Sequence, residues 1–182
     1  MSEHSADWKP TASRTRLVVM ALLIITAGAA WADAIVRQDQ SKPPPADAKA
    51  AGDEEELARV GEELTEVVCR QCHPVENITR MRRTVREWAD VITTMQGRGA
   101  NATEDQFETI HKYLSRYYGM VAVNTASAQD LSAVLGLSAK DAQAIVAYRK
   151  AHGKFTDLAS LSKVEGIDKA KLEEQPEALR FQ

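Results

Sequence analysis

The five residues Cys69-Arg70-Gln71-Cys72-His73 restrict this chain more than any other stretch. Two thiols separated by two residues, with an imidazole directly after, have the spacing of a c-type haem attachment site. The thiols reach the two vinyl groups on one porphyrin edge and form thioethers. His73 then lies beneath the iron and serves as the proximal ligand. A chain that holds a flat apolar ring in this way has to wrap it. The 182 residues contain no other cysteine, so the motif uses the whole supply and leaves none for a disulfide. Two other uses of the pair fit less well. A thioredoxin-like dithiol expects a βαβ setting, and no such pattern lies nearby. Half of a zinc site needs two more ligands at their own spacing, and neither His111 nor His152 has such a partner.

The N-terminal residues place the motif in a compartment. Lys9, Arg14 and Arg16 precede an apolar run from Leu17 to Trp31, and Ala30-Trp31-Ala32 is a small-x-small end. This fits a secretory signal peptide over residues 1–32, cut before Asp33. The alternative is an uncleaved anchor over residues 17–36, about 20 residues and long enough to span a bilayer. Its basic flank would stay in the cytoplasm. Both readings export the rest of the chain, so the expected location is periplasmic, either soluble or tethered to the inner membrane. Residues 33–52 then read as a Pro/Ala-rich linker, with Pro43, Pro44 and Pro45 favouring an extended spacer. The net charge of −3 gives no reason to expect nucleic acid as the default partner.

Residues 53–120 read as a three-helix haem domain with no strand signal. Leu57, Val60, Leu64 and Val67 recur at helical spacing and lead straight to Cys69. Thr84 can cap a second helix with Val85, Trp88, Ile92 and Met95 on one face, ended by Gly97 and Gly99. Thr103-Glu104-Asp105-Gln106 is a capping-box pattern for a third, along which Phe107, Ile110, Leu114 and Tyr117 line up. So short a segment buries little core unaided, and a covalently held haem c supplies the missing apolar centre. The iron needs a sixth ligand or an open site. Met95 is the expected distal ligand because it leaves room for the chain to wrap the ring, whereas Met81 follows His73 too closely. His111 is the alternative and would give bis-histidine ligation. Arg80, Arg82, Arg83 and Arg86 form a basic run that could meet haem propionates or an acidic partner, or simply be solvated.

Cys69, Cys72, His73, the Trp88–Met95 stretch, Gly97–Ala100 and Tyr113-Leu114 together resemble the small monohaem cytochrome c domains of exported bacterial proteins. They are also similar to the haem domains that accompany periplasmic quinoprotein and molybdenum dehydrogenases. The likeness implies an electron carrier, with a methionine ahead of the final Tyr-Leu helix as iron ligand. Only the haem motif is specific.

Residues 121–182 form a second unit with two similar halves, each a short helix, a glycine hairpin and a helix. Gly136-Leu137-Ser138 makes the first hairpin, with Ser138 capping a helix from Lys140 to Ala151. Val164-Glu165-Gly166-Ile167-Asp168 makes the second. Together with Val123–Ser127, Ala142–Arg149, Gly153 and Phe155, these residues resemble the tandem helix-hairpin-helix module of the competence DNA-receptor type (ComEA-like). The likeness implies duplex binding through hairpin amides and nearby cations. Physical chemistry pulls the other way. The unit has eight cations and eight anions, hence no net charge to neutralise phosphates. Ser138 and Asp168 stand where a second glycine would admit a phosphate.

The expectation is therefore an all-α chain, a cytochrome c-like haem domain followed by a tandem helix-hairpin-helix domain. It would relay electrons for a redox partner such as a periplasmic dehydrogenase, without substrate turnover of its own. The helix-hairpin-helix unit would serve docking, and nucleic acid is not the expected partner. The alternative is an exported ComEA-like DNA-binding protein with a structural or sensory haem.

Overall fold

The computed structural model describes residues 46–182. The export segment and the proline-rich part of the linker lie outside the described residues. Those described are mostly helical, in keeping with the all-α expectation, and Lys49–Gln182 form one compact unit. Among the described residues no helix is long and apolar enough to cross a membrane.

Helix α1 (Ala46–Cys69) delivers the chain to the Cys-x-x-Cys-His segment. It starts well before Glu54, inside the stretch that reads as linker, because the alanines of that stretch are strong helix formers. Its buried stripe is Gly61, Thr65 and Val68, with Leu57 and Leu64 beside it. The sequence spacing had put Val67 on that face, yet Val67 is 60% exposed and Val68 only 5%. Gly61 is the cause. The Tyr113 ring occupies the space a Cβ would need there, so the ring packs on the helix backbone and the contact stripe turns by one position.

A single turn, α2 (Glu76–Thr79), follows the motif. Helices α3 (Val85–Gly97) and α4 (Glu104–Tyr117) both open on complete capping boxes. Thr84 accepts from the Glu87 amide while the Glu87 carboxylate accepts from the Thr84 amide; Thr103 and Gln106 do the same. Each box satisfies two amides that the helix itself leaves without partners. Trp88, Ile110, Leu114, Tyr113 and Val68 make the buried cluster between α1, α3 and α4.

The remaining chain runs through β1 (Val121–Ala122), α5 (Ala128–Leu135), α6 (Ala139–His152), α7 (Leu158–Leu161) and α8 (Lys169–Glu174). A 3-10 turn over Pro176–Ala178 then leads to β2 (Leu179–Arg180), which pairs in parallel with β1, Val121 opposite Leu179. The end of the chain thus closes back on the start of this unit. Leu131, Leu135, Ile145, Leu161 and Leu172 are fully buried between the two helical halves. Gly136 ends α5 in the left-handed region at φ 65°, which a side chain would strain. Ser138 and Asp168 cap α6 and α8.

The two parts meet along a hydrogen-bonded seam. The Trp88 indole N–H donates to the Tyr118 carbonyl at 3.0 Å, and the Met120 amide donates to Arg83 at 2.8 Å. Arg82 donates to the Gly119 carbonyl at 2.9 Å and forms an ion pair with Glu177. Arg116, 5% exposed at the end of α4, pairs with Glu54 of α1 and, at 3.0 Å, with Glu174 of α8. Lys171 joins Glu54 at 2.7 Å. Burial alone pushes the Glu54 carboxyl up, but hydrogen bonds from Lys171 and the Arg116 charge outweigh it and hold the group below its ordinary value.

Candidate haem cavity and hairpin module

Helix α1 ends on Cys69, so the thiols and imidazole of the motif leave the helix together. Beside them lies a cavity of about 320 Å³, lined almost wholly by apolar side chains. Such a volume falls within the roughly 300–1,000 Å³ of ligand sites. Val68, Cys69, Cys72 and His73 form one wall. Val91, Ile92 and Met95 of α3 form another, and Phe107, Ile110 and Leu114 of α4 close it. Three helices that are distant in sequence thus line one slot. The motif and Met95 border the same space.

The imidazole is oriented. His73 Nδ1 lies 3.2 Å from the Pro74 carbonyl oxygen. In the tautomer that donates this bond, Nε2 is bare and available to a metal. His111 is placed differently. Its Nε2 lies 2.8 Å from the Val85 carbonyl and the side chain does not line the cavity. Met81 is 48% exposed and also stands away from the cavity. The structure therefore brings Met95 to the slot and leaves the other two candidates outside it.

The cysteines are both free, Cys69 half-buried and Cys72 exposed. Burial, reinforced by the Glu66 carboxylate, pushes the Cys69 thiol above its ordinary value. A reactive dithiol needs the opposite shift. Among the described residues no group of three or more His, Cys, Asp or Glu side chains converges on one point. A zinc site has no ligand set here. A haem requires no such cluster, because its ring supplies four nitrogens to the iron and the protein adds only axial ligands. An apolar slot with two thiols and one imidazole on a single wall fits that group.

The basic run separates into different roles. Arg82 is spent on Glu177 and the seam carbonyls. Arg83 borders a depression that adjoins the main cavity and shares His73, Met95 and Arg98 with it. Arg80 and Arg86 are exposed and line neither. Arg98 lines both the cavity and the depression. Its signal in the sequence is its position three residues after Met95, just past the end of α3.

The hairpins form the second candidate surface. In the second, Glu165, Gly166 and Asp168 are exposed, and Gly166 has φ 75°. The Asp168 carboxylate accepts from the Ala170 amide at 3.0 Å and the Lys171 amide at 3.4 Å. It occupies the amides that would otherwise face a phosphate. In the first hairpin the Arg116 guanidinium lies where a Cβ on Gly136 would point. Lys140, Lys163 and Lys169 are exposed close to the two turns. Arg149 turns inward and donates to the Val123 and Ala126 carbonyls.

Comparison with known proteins bears on this part of the chain. The family described as "Helix-hairpin-helix motif" matches residues 117–180, a segment that includes none of Cys69, Cys72, His73 and Met95. An uncharacterized protein of Haemophilus influenzae is 43% identical over 60 residues, 32% of this chain and 54% of that protein. ComE operon protein 1 of Bacillus subtilis is 35% identical over 54 residues, 30% of this chain and 26% of that protein. The chain thus spans about half and about a quarter of these two relatives. No solved structure matches it. Over residues 117–180 the chain thus matches the helix-hairpin-helix motif.

Proposed function

We propose that the chain is an exported monohaem c-type cytochrome that relays electrons, with the helix-hairpin-helix module fused to it as a docking surface. The observation that carries this reading is the apolar cavity bordered by Cys69, Cys72, His73 and Met95. The cysteines would hold the ring covalently, and His73 Nε2 and the Met95 thioether would be its iron ligands. The bound haem would supply one-electron chemistry, its iron alternating between ferric and ferrous states. The protein's part is to exclude water with Val91, Ile92, Phe107 and Ile110, and to orient His73 through the Pro74 carbonyl. A thioether ligand favours ferrous iron more than a second imidazole does, which suits an acceptor of electrons. The redox partner would be a protein outside the cytoplasm, and a periplasmic quinoprotein or molybdenum dehydrogenase is the class that the haem-domain resemblance suggests.

Replacing Met95 tests the ligation. Met95→Ala in the haem-loaded protein is expected to turn a six-coordinate visible spectrum into one that responds to added imidazole or carbon monoxide. A spectrum unchanged from the parent would remove Met95 as ligand.

A second reading has its own support. The match of residues 117–180 to helix-hairpin-helix proteins, with ComE operon protein 1 among the relatives, favours duplex DNA as the module's partner, against the expectation drawn from charge alone. On that reading the protein is a ComEA-like DNA-binding protein with a structural or sensory haem, and Lys140, Lys163 and Lys169 would contact phosphates. The Asp168 cap and the balanced charge weigh against it. Titration of the full chain with a short duplex decides between them. The relay reading expects no submicromolar binding even at low salt. Submicromolar affinity that falls steeply as salt is raised would assign the module to DNA.

A further inference from the structure

We infer that Arg98 and Arg83 bind the two carboxylates of the ring that the cavity receives, and so set its orientation in the slot. The inference rests on the haem reading. It starts from a mismatch in the cavity: its walls are apolar, while a haem carries two propionates that need cations or water. The main cavity and the depression beside it share His73, Ile78, Val91, Met95 and Arg98 in their walls, so the two adjoin. The apolar cavity lies against Cys69 and Cys72, and the depression is bordered by Asn77, Arg83 and Arg98. A haem fastened by its vinyl edge at the cysteines directs its propionate edge away from them, toward that depression.

Charge pairing leaves both of these residues available. Arg70 is taken by Glu66, Arg82 by Glu177 and Arg116 by Glu54 and Glu174. Among the described residues neither Arg83 nor Arg98 has a carboxylate within ion-pair distance. Arg83 is held in place by its neighbours: its guanidinium lies 5.6 Å from the centre of the Trp88 ring, and its backbone amide and carbonyl are bonded to Tyr118 and Met120. The Arg98 amide donates to the Met95 carbonyl at 3.0 Å, so this side chain springs from the turn that also presents the thioether. Glu87 and Asp90 line a further depression beside Arg83, but Glu87 is engaged by the Thr84 cap. A guanidinium offers a carboxylate two parallel N–H donors, which an ammonium does not. One propionate on each arginine would satisfy both.

The test uses the full chain, matured in a host that attaches haem c, as wild type, Arg83→Gln, Arg98→Gln, the double variant, Arg98→Lys and Arg80→Gln. Haem staining of a denaturing gel comes first: absence of covalent haem from the wild type would sink the haem reading itself. With haem in place, resonance Raman spectra report the propionate bending band, which responds to hydrogen bonds on the carboxylates. The band is expected to shift in each Gln variant, to shift further in the double variant, and to lie between the two positions in Arg98→Lys. Arg80→Gln should match wild type. The midpoint potential at one fixed pH should fall along the same series, because cations beside the ring favour the ferrous state. If the double variant does not accumulate, the single variants carry the same comparison. A band that stays at the wild-type position in haem-loaded Gln variants overturns the assignment.

Discussion

Cys69→Ala/Cys72→Ala, expressed beside wild type in a host that matures c-type cytochromes, should leave no haem on the denatured chain. The wild type should keep it through boiling and electrophoresis, since a thioether survives conditions that release a coordinated ring. The effect is complete because the chain has no other thiol to substitute. The same variant should also be harder to fold. The cavity of about 320 Å³ lies between α1, α3 and α4, so without the ring those helices face an apolar hollow. Haem stain and a reduced visible spectrum read the first effect, and thermal unfolding reads the second. A wild type that carries no haem would end the cytochrome reading, and the helix-hairpin-helix module would then be the remaining guide to function.

Trp88→Ala should cost about 3–5 kcal/mol of folding stability, the range for truncating a large buried aromatic side chain. Trp88 is 1% exposed in the cluster between α1, α3 and α4, so the lost indole leaves a void. It also donates to the Tyr118 carbonyl at 3.0 Å, and that carbonyl accepts as well from the Arg83 amide at 3.2 Å. The residue therefore ties α3 to the segment between α4 and β1. For a protein of this size the loss is a large fraction of a total near 5–15 kcal/mol. Chemical denaturation of haem-loaded wild type and variant measures it through the midpoint at unchanged slope. A loss below about 1 kcal/mol, the ordinary effect of a point mutation, would show that the packing around Trp88 is not what stabilises the seam.

Much of the local structure was legible in the residues. Thr84, Thr103 and Ser138 cap the helices they were expected to cap, because a cap depends on side-chain and amide groups within a few residues. Gly136 and Gly166 mark the hairpin turns for the same local reason. The repeated pattern of the C-terminal unit was enough to identify a helix-hairpin-helix likeness, and the family match covers that segment. The cysteine spacing pointed to haem without any structure, since the chemistry of the vinyl groups dictates it.

Tertiary structure decided the matters that depend on distant partners. Helical periodicity placed Val67 on the inner face of α1, but the choice between Val67 and Val68 belonged to Tyr113, which packs on Gly61 from another helix. The basic run read as one group, yet Arg82 is committed to Glu177 while Arg83 borders the depression, and no local rule separates adjacent arginines. Arg116 has no local sequence signal that marks it as buried, yet it lies among Glu54, Glu174 and Lys171. Met95 and His111 were both open as iron ligands by spacing, and only the packing of α3 against α4 put Met95 at the cavity wall and His111 on the Val85 carbonyl. The sequence by itself determined caps and turns, because these act over a few bonds or a few residues. The structure alone decided which faces meet and which charges are paired, because those are set by side chains that approach one another only after the chain has folded.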